Sequence, residues 1–224
     1  MKLLTDLLHL IYPSEVKCPF CGGELISSGM EVGFCNNCLN QLHLFKGQAV
    51  SDDELDLVGS AVHYRGFIKD IIYRFKYFGE RTLAYPLVDL MLEQYPYIFK
   101  GEKWTGLIPV PMHEKRLSKR GYNQAYLLAR GLSFSSGIPC YDWVIRAKNT
   151  RPQNKLKLEA RKRNMEGAFQ LRNTASLQNG SWLVIDDIFT TGTTARGMAR
   201  TLKSGGAKRV GLYTVASGRL ISDV

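Results

Sequence analysis

Asp186 and Asp187 stand side by side, and a turn made of Thr190, Thr191, Gly192, Thr193 and Thr194 follows at once. Adjacent carboxylates can accept hydrogen bonds from the vicinal hydroxyls of a sugar and can balance a cation. The turn offers the opposite chemistry: four threonine hydroxyls, a glycine that lets backbone approach a ligand, and the free N–H groups and positive dipole end of any helix starting there. A ligand with hydroxyls at one end and a phosphate at the other, a sugar phosphate, uses both halves. A Gly-x-x-x-x-Gly-Lys-Ser/Thr phosphate loop is absent, and acids stand where that motif has glycine-rich backbone.

A second set of reactive side chains lies far upstream. Cys18 and Cys21, then Cys35 and Cys38, form two C-x2-C pairs separated by thirteen residues. Each pair can curl into a knuckle, and two knuckles close a four-thiolate shell around Zn²⁺ with no open position, the pattern of a structural rather than a catalytic site. Gly22 and Gly23 permit the first turn. Disulfides are the alternative, opposed by the unpaired Cys140 and the lack of an export signal.

The third feature is charge. The chain carries a net +10, and residues 115–172 hold 14 lysines and arginines against three acids, so the rest is nearly neutral. Such clustering fits a polyanion, either nucleic acid or a pyrophosphate. Just before it, Pro109 and Pro111 end a strand around Val110; within it Arg116, Arg120, Asn123 and Gln124 follow, and Arg151, Gln153 and Arg161 lie in its most basic stretch. Arg120 suits bidentate phosphate contact, and the two amides can bond a loop, a phosphate or an exposed base. His113 could in principle do acid–base work, but the sequence shows no carboxylate arrangement that would support it.

Elements must position these groups. Trp182 to Ile185 are four apolar residues in a row, a buried strand of a parallel sheet with the acids at its carboxyl end, where open α/β sheets bind ligands. Ala195, Met198, Ala199 and Leu202 then give a helical stripe that ends at Gly205 and Gly206. Further strands are expected around residues 61–64, 107–111, 143–145 and 209–216, and helices over 66–77, 83–99 and 122–131. Leu3, Leu4, Leu7, Leu8 and Ile11 fit one face of a short helix packed on its own domain. At 224 residues and 45% hydrophobic, the chain suits one domain with a small appendage: a zinc ribbon over 1–50 and an α/β domain over 51–224. No run approaches the ~20 apolar residues of a membrane span, so no transmembrane segment is expected.

The run from Val184 to Thr194 resembles the ribose-phosphate signature of type I phosphoribosyltransferases. The whole chain is similar to the ComF family (ComFC/GntX-like) of natural competence, through that run, the cysteine pairs, Lys76-Tyr-Phe-Gly79, the Arg116 to Gln124 stretch, and Leu156, Arg161, Asn164 and Gly167-Ala-Phe169. The resemblance implies a doubly wound parallel sheet with the four-cysteine ribbon as its hood. It further implies a site for phosphoribosyl pyrophosphate with Mg²⁺, with Asp186 and Asp187 as any catalytic acids. Val110, Arg116, Arg120, Asn123, Gln124, Arg151, Gln153 and Arg161 would contact pyrophosphate or DNA. The implied partners are single-stranded DNA and a ComFA-type helicase/ATPase, in a cytoplasmic protein that reaches the inner membrane only through partners. Lys76 is read as a surface or linker residue. Transfer of phosphoribose to an acceptor is the alternative to a site that only binds, and no residue set names the acceptor.

Overall fold

The structure is a computed structural model and describes residues 17–23, 33–147, 167–172 and 177–218. In chain order the named elements are α1 (Asn36–Asn40), β1 (Leu57–His63), α2 (Ile68–Tyr77), a 3₁₀ turn (Arg81–Leu83), α3 (Ala84–Ile98), β2 (Gly106–Pro109), α4 (Glu114–Arg120), α5 (Gln124–Ser136), β3 (Val144–Arg146), β4 (Phe169–Leu171), β5 (Ser181–Phe189), α6 (Thr193–Ser204) and β6 (Arg209–Ser217).

β1, β6, β5 and β2 lie in that order as a four-stranded sheet, parallel throughout. The alternation of a strand divides its side chains between two cores. Leu183 and Ile185 of β5, with Tyr213 and Val215 of β6, face α2, α3 and α5. Val184 and Trp182, with Val210 and Leu212, face Met198, Ala199 and Leu202 of α6. Helices on both faces of a parallel sheet make this the doubly wound α/β fold expected.

Two expectations need correction. The short strand near Trp143 does not join the parallel sheet: β3 pairs antiparallel with β4, from Val144↔Leu171 to Arg146↔Phe169, as a separate ribbon beside α6. Strands of a parallel sheet are buried on both faces, whereas β3 and β4 are three residues each and bury only Val144 and Phe169. β5 also does not stop at the acids but runs on to Phe189.

The cysteine segment shares the main core. Cys18, Phe34, Cys38 and Leu42 belong to the cluster that holds Phe67, Ile68 and Leu87, and the Phe20 and Phe67 rings stand 4.4 Å apart. The chain then passes along β1 through isolated bridges at Leu44↔Val62 and Val50↔Val58. The leucine-rich helix expected over 3–11, and residues Arg151, Gln153, Leu156, Arg161 and Asn164 of the basic stretch, lie outside the described residues.

β1 accepts the end of α3 only because Gly59 has no side chain there. A Cβ would fall 2.4 Å from Ile98 Cγ2 and 2.8 Å from the Phe99 ring. Gly59→Ala is therefore expected to lower stability by roughly 1–3 kcal/mol in urea denaturation. A midpoint equal to that of the natural chain would show that α3 does not press on β1 here.

Candidate functional site

The acids sit where the sheet thins. Pairing between β5 and β2 ends at Pro109↔Ile185, after which Val110 N–H donates to the Ile185 carbonyl at 3.0 Å. Pairing with β6 goes on through Asp186↔Thr214 to Phe189↔Ser217. Asp186 and Asp187 thus project past the carboxyl end of β2 while one neighbour still holds their backbone. Asp187 N–H donates to Asp186 Oδ1 at 2.9 Å.

The turn after β5 is clamped from outside. Gly192 has φ +76°, a left-handed conformation that favours glycine, and caps α6. Arg196, in the first turn of α6, donates through Nε and Nη2 to both carboxylate oxygens of Asp52 at 2.7 and 2.6 Å, and through Nη1 to the Thr191 carbonyl at 3.3 Å. Asp52 is fully buried at its side chain. Thr191 and Thr193 hydroxyls stand 3.0 Å apart, and Thr190 is exposed. Residues 190–195 with Asp186, Phe189, Leu212 and Thr214 line a small hollow of about 30 Å³.

Lys76 is the residue that sequence reasoning misplaced. It is neither a linker nor a free surface group: its Nζ lies 2.8 Å from Asp187 Oδ1, with both side chains mostly buried. Its placement follows from α2. Ile68, Ile71, Ile72 and Phe75 form the buried stripe, and Lys76 lies on the neighbouring flank, facing the end of β5. Two donors hold that turn of helix, since the Phe75 carbonyl accepts from Tyr122 Oη and, at 3.2 Å, from Gln124 Nε2. The sequence signals were its place in the Lys76-Tyr-Phe-Gly79 segment and its position beside the apolar stripe, four residues after the buried Ile72.

The electrostatics follow from enclosure. Burial, and then the Asp187 charge beside it, push the Asp186 carboxyl up to about 7 against the pull of Lys76 and Arg146. Burial works against the Lys76 ammonium, but Asp187 and Asp186 more than offset this and its pKa is raised. Arg146 is lowered to about 10 by burial and by Arg116, with Asp186 opposing.

The remaining expected contact residues are placed as follows. Asn123 caps α5: its Oδ1 accepts from Ala125 N–H at 3.1 Å while its Nδ2 donates to the Val110 carbonyl at 2.9 Å. Gln124 is buried and its Oε1 accepts from Arg120 Nη1 at 2.9 Å. Of the roles open to these amides, both are used within the chain. Arg116 and Arg120 lie half-buried on α4, which buries none of its side chains fully. His113 Nδ1 accepts from Lys115 N–H at 3.2 Å, a cap rather than a base.

Cys18, Cys21, Cys35 and Cys38 bring their sulfurs within 4.8 Å of one another, with Cys18 to Cys38 at 3.7 Å and Cys21 to Cys35 at 3.5 Å. Gly22, at φ +71°, and the start of α1 shape the two knuckles. These four thiols could hold a metal ion. They fix the ribbon to α2, where Arg74 Nη1 donates to the Pro19 carbonyl at 3.2 Å.

A family model described as a phosphoribosyl transferase domain matches residues 117–220, which include the acids, the threonine turn and strands β5 and β6 of the sheet. Competence protein F of Haemophilus influenzae is 30% identical over 207 residues, spanning 89% of this chain and 83% of that protein. Competence protein ComFC of Bacillus subtilis is 29% identical over 70% of this chain and 62% of its own length. The DNA utilization protein YhgH of Escherichia coli K12 is 27% identical over 88% of this chain and 82% of its own. The fold and site define a phosphoribosyltransferase-like protein. Within that class the chain belongs to the ComF family.

The acid pair sets a pH dependence. Unfolded, Asp186 titrates near the usual ~3.9, whereas folded it titrates at about 7. The folded state binds the extra proton between these values, so this group's contribution to stability is whole below about pH 4 and lost as pH rises to about 7. Asp186→Asn should flatten that fall and leave the variant more stable at pH 8 by roughly 1–2 kcal/mol, a figure reduced because the side chain keeps some solvent contact. Lys76→Met should instead cost about 3 kcal/mol at pH 8, with the deficit shrinking in acid. Urea melts from pH 4 to 8 read both effects, and equal slopes in the natural chain and Asp186→Asn would contradict the first.

Proposed function

We propose that this protein handles single-stranded DNA during natural competence and binds phosphoribosyl pyrophosphate with Mg²⁺ at the acid pair. The observation that carries the reading is the meeting of Asp186 and Asp187 with a left-handed Gly192 and the start of α6 at the carboxyl end of β5, in a chain of the ComF family. The first N–H groups of α6 and the Thr190, Thr191, Thr193 and Thr194 hydroxyls are donors for the sugar's phosphate. Asp186 and Asp187 are acceptors for its ribose hydroxyls. Mg²⁺, which keeps much of its water, would be held by the ligand's own pyrophosphate, with the two aspartates supplying local negative charge. Lys76 already balances Asp187, so an arriving cation shares that carboxylate or takes the lysine's place. Arg116 and Arg120, with Arg151, Gln153 and Arg161 of the basic stretch, would follow pyrophosphate or the DNA backbone.

The four-thiolate cluster is read as a structural Zn²⁺ site. Sulfur separations of 3.5 and 3.7 Å suit the edges of a tetrahedron whose Zn–S bonds are ~2.3 Å. A ComFA-type helicase/ATPase is the partner expected beside it, in the cytoplasm or at the inner membrane through that partner. Among the described residues no helix is long and apolar enough to cross a membrane. The match to a phosphoribosyl transferase domain favours a second reading, transfer of phosphoribose to an acceptor, which would release pyrophosphate.

Calorimetric titration with phosphoribosyl pyrophosphate and Mg²⁺ tests the site. Binding by the natural chain should be lost in Asp186→Asn/Asp187→Asn while bound zinc is retained, and a natural chain that takes up no ligand would overturn the reading. Pyrophosphate release on adding purine, pyrimidine or amine acceptors would establish the transferase. Separately, Cys18→Ser/Cys35→Ser should lose the metal by elemental analysis and lower the melting temperature; metal content equal to the natural chain's would remove the zinc assignment.

A further inference from the structure

α2 has a third face that neither the core nor the acid pair uses. Tyr73 and Tyr77 are four residues apart and so lie on one flank of the helix, with Phe78 just past its end. They are 55%, 62% and 67% exposed. The Tyr73 ring stands 4.9 Å from that of Tyr77 and 5.8 Å from that of Phe78, so three large rings form one exposed patch. The Arg120 guanidinium lies over the Tyr77 ring, 5.0 Å from its centre, and Arg116 is close enough for its charge to interact with both Arg120 and Tyr77. Arg116 also interacts with Arg146, which in turn feels Asp186. A line of arginines therefore leads from the candidate sugar-phosphate site to the aromatic patch.

Rings that offer their faces beside planar cations fit a chain of bases joined by phosphates. A duplex hides its base faces within the stack, whereas a single strand can lay them on aromatic side chains. A second copy of this protein would bring arginines against arginines. We propose that Tyr73, Tyr77 and Phe78 are a stacking platform for the bases of single-stranded DNA, whose phosphates run along Arg116 and Arg120. This rests on the single-stranded DNA reading above and names the surface that performs it. Because Tyr73 and Tyr77 share α2 with Lys76, the platform is joined rigidly to the acid pair.

Fluorescence anisotropy of the full chain tests this with a labelled oligothymidylate of about 20 nucleotides and an abasic deoxyribose-phosphate oligomer of equal length. Tyr73→Ala/Tyr77→Ala/Phe78→Ala should weaken oligothymidylate binding about tenfold or more, to the abasic level, with the salt dependence kept. Tyr73→Phe/Tyr77→Phe should bind like the natural chain. Arg116→Gln/Arg120→Gln should lower the salt slope by about two. The rings are exposed, so thermal melts of the aromatic variants should match the natural chain. If the triple variant binds oligothymidylate as the natural chain does, the platform falls and the DNA reading stands; if the natural chain binds none, both fall. Tighter binding of oligouridylate, or a dimer that the triple variant dissociates, would also overturn the platform.

Discussion

Two carboxylates on successive residues at the edge of a core repel each other, and each loses hydration, so a cation must come close. Lys76 meets that need from a helix more than a hundred residues upstream, 2.8 Å from Asp187. Much of the site's architecture follows from bringing that ammonium to that place. α2 has to pack its isoleucine face on the sheet with the right rotation, and the Phe75 carbonyl, one residue before Lys76, is held by Tyr122 and Gln124. The same rotation turns Tyr73 and Tyr77 outward. One helix thus sets the charge balance at the acids and the chemistry of the surface beside them.

The turn that follows the acids is positioned by a different device. Arg196 reaches from α6 to a buried Asp52 before β1 and to the Thr191 carbonyl, so a segment from far upstream helps to fix the threonine turn. A buried arginine–carboxylate fork is costly to break, because removing either partner leaves a charge without solvent. The turn is therefore held in one geometry by a contact made far from it in sequence. The cysteine ribbon adds a third constraint, pressing Phe20 on Phe67 at the start of α2 and binding Arg74 through the Pro19 carbonyl. A metal in that cluster would brace the helix that carries Lys76.

Local patterns made much of this legible. Strand β5, helix α6 and strand β6 follow from apolar runs and stripes, and the C-x2-C spacing led to the four clustered sulfurs. The β3–β4 ribbon was not legible, because three-residue strands carry no periodicity and their pairing spans more than twenty residues. The role of Asp52 was not legible either, since nothing near it in sequence announces a partner 144 positions away.

The sequence by itself determined which residues stand next to one another along the chain: the twin acids, the threonine turn, the cysteine pairs and the basic stretch. Those are one-dimensional facts, and the chemistry of side chains translates them directly. Only the tertiary structure decided which distant groups meet them. Lys76 became the counter-charge, Asn123 and Gln124 became braces, and Tyr73, Tyr77 and Phe78 became an exposed patch beside Arg120. The reason is physical: charge balance and hydrogen-bond satisfaction are enforced through space, by whichever elements the packing of the core brings together.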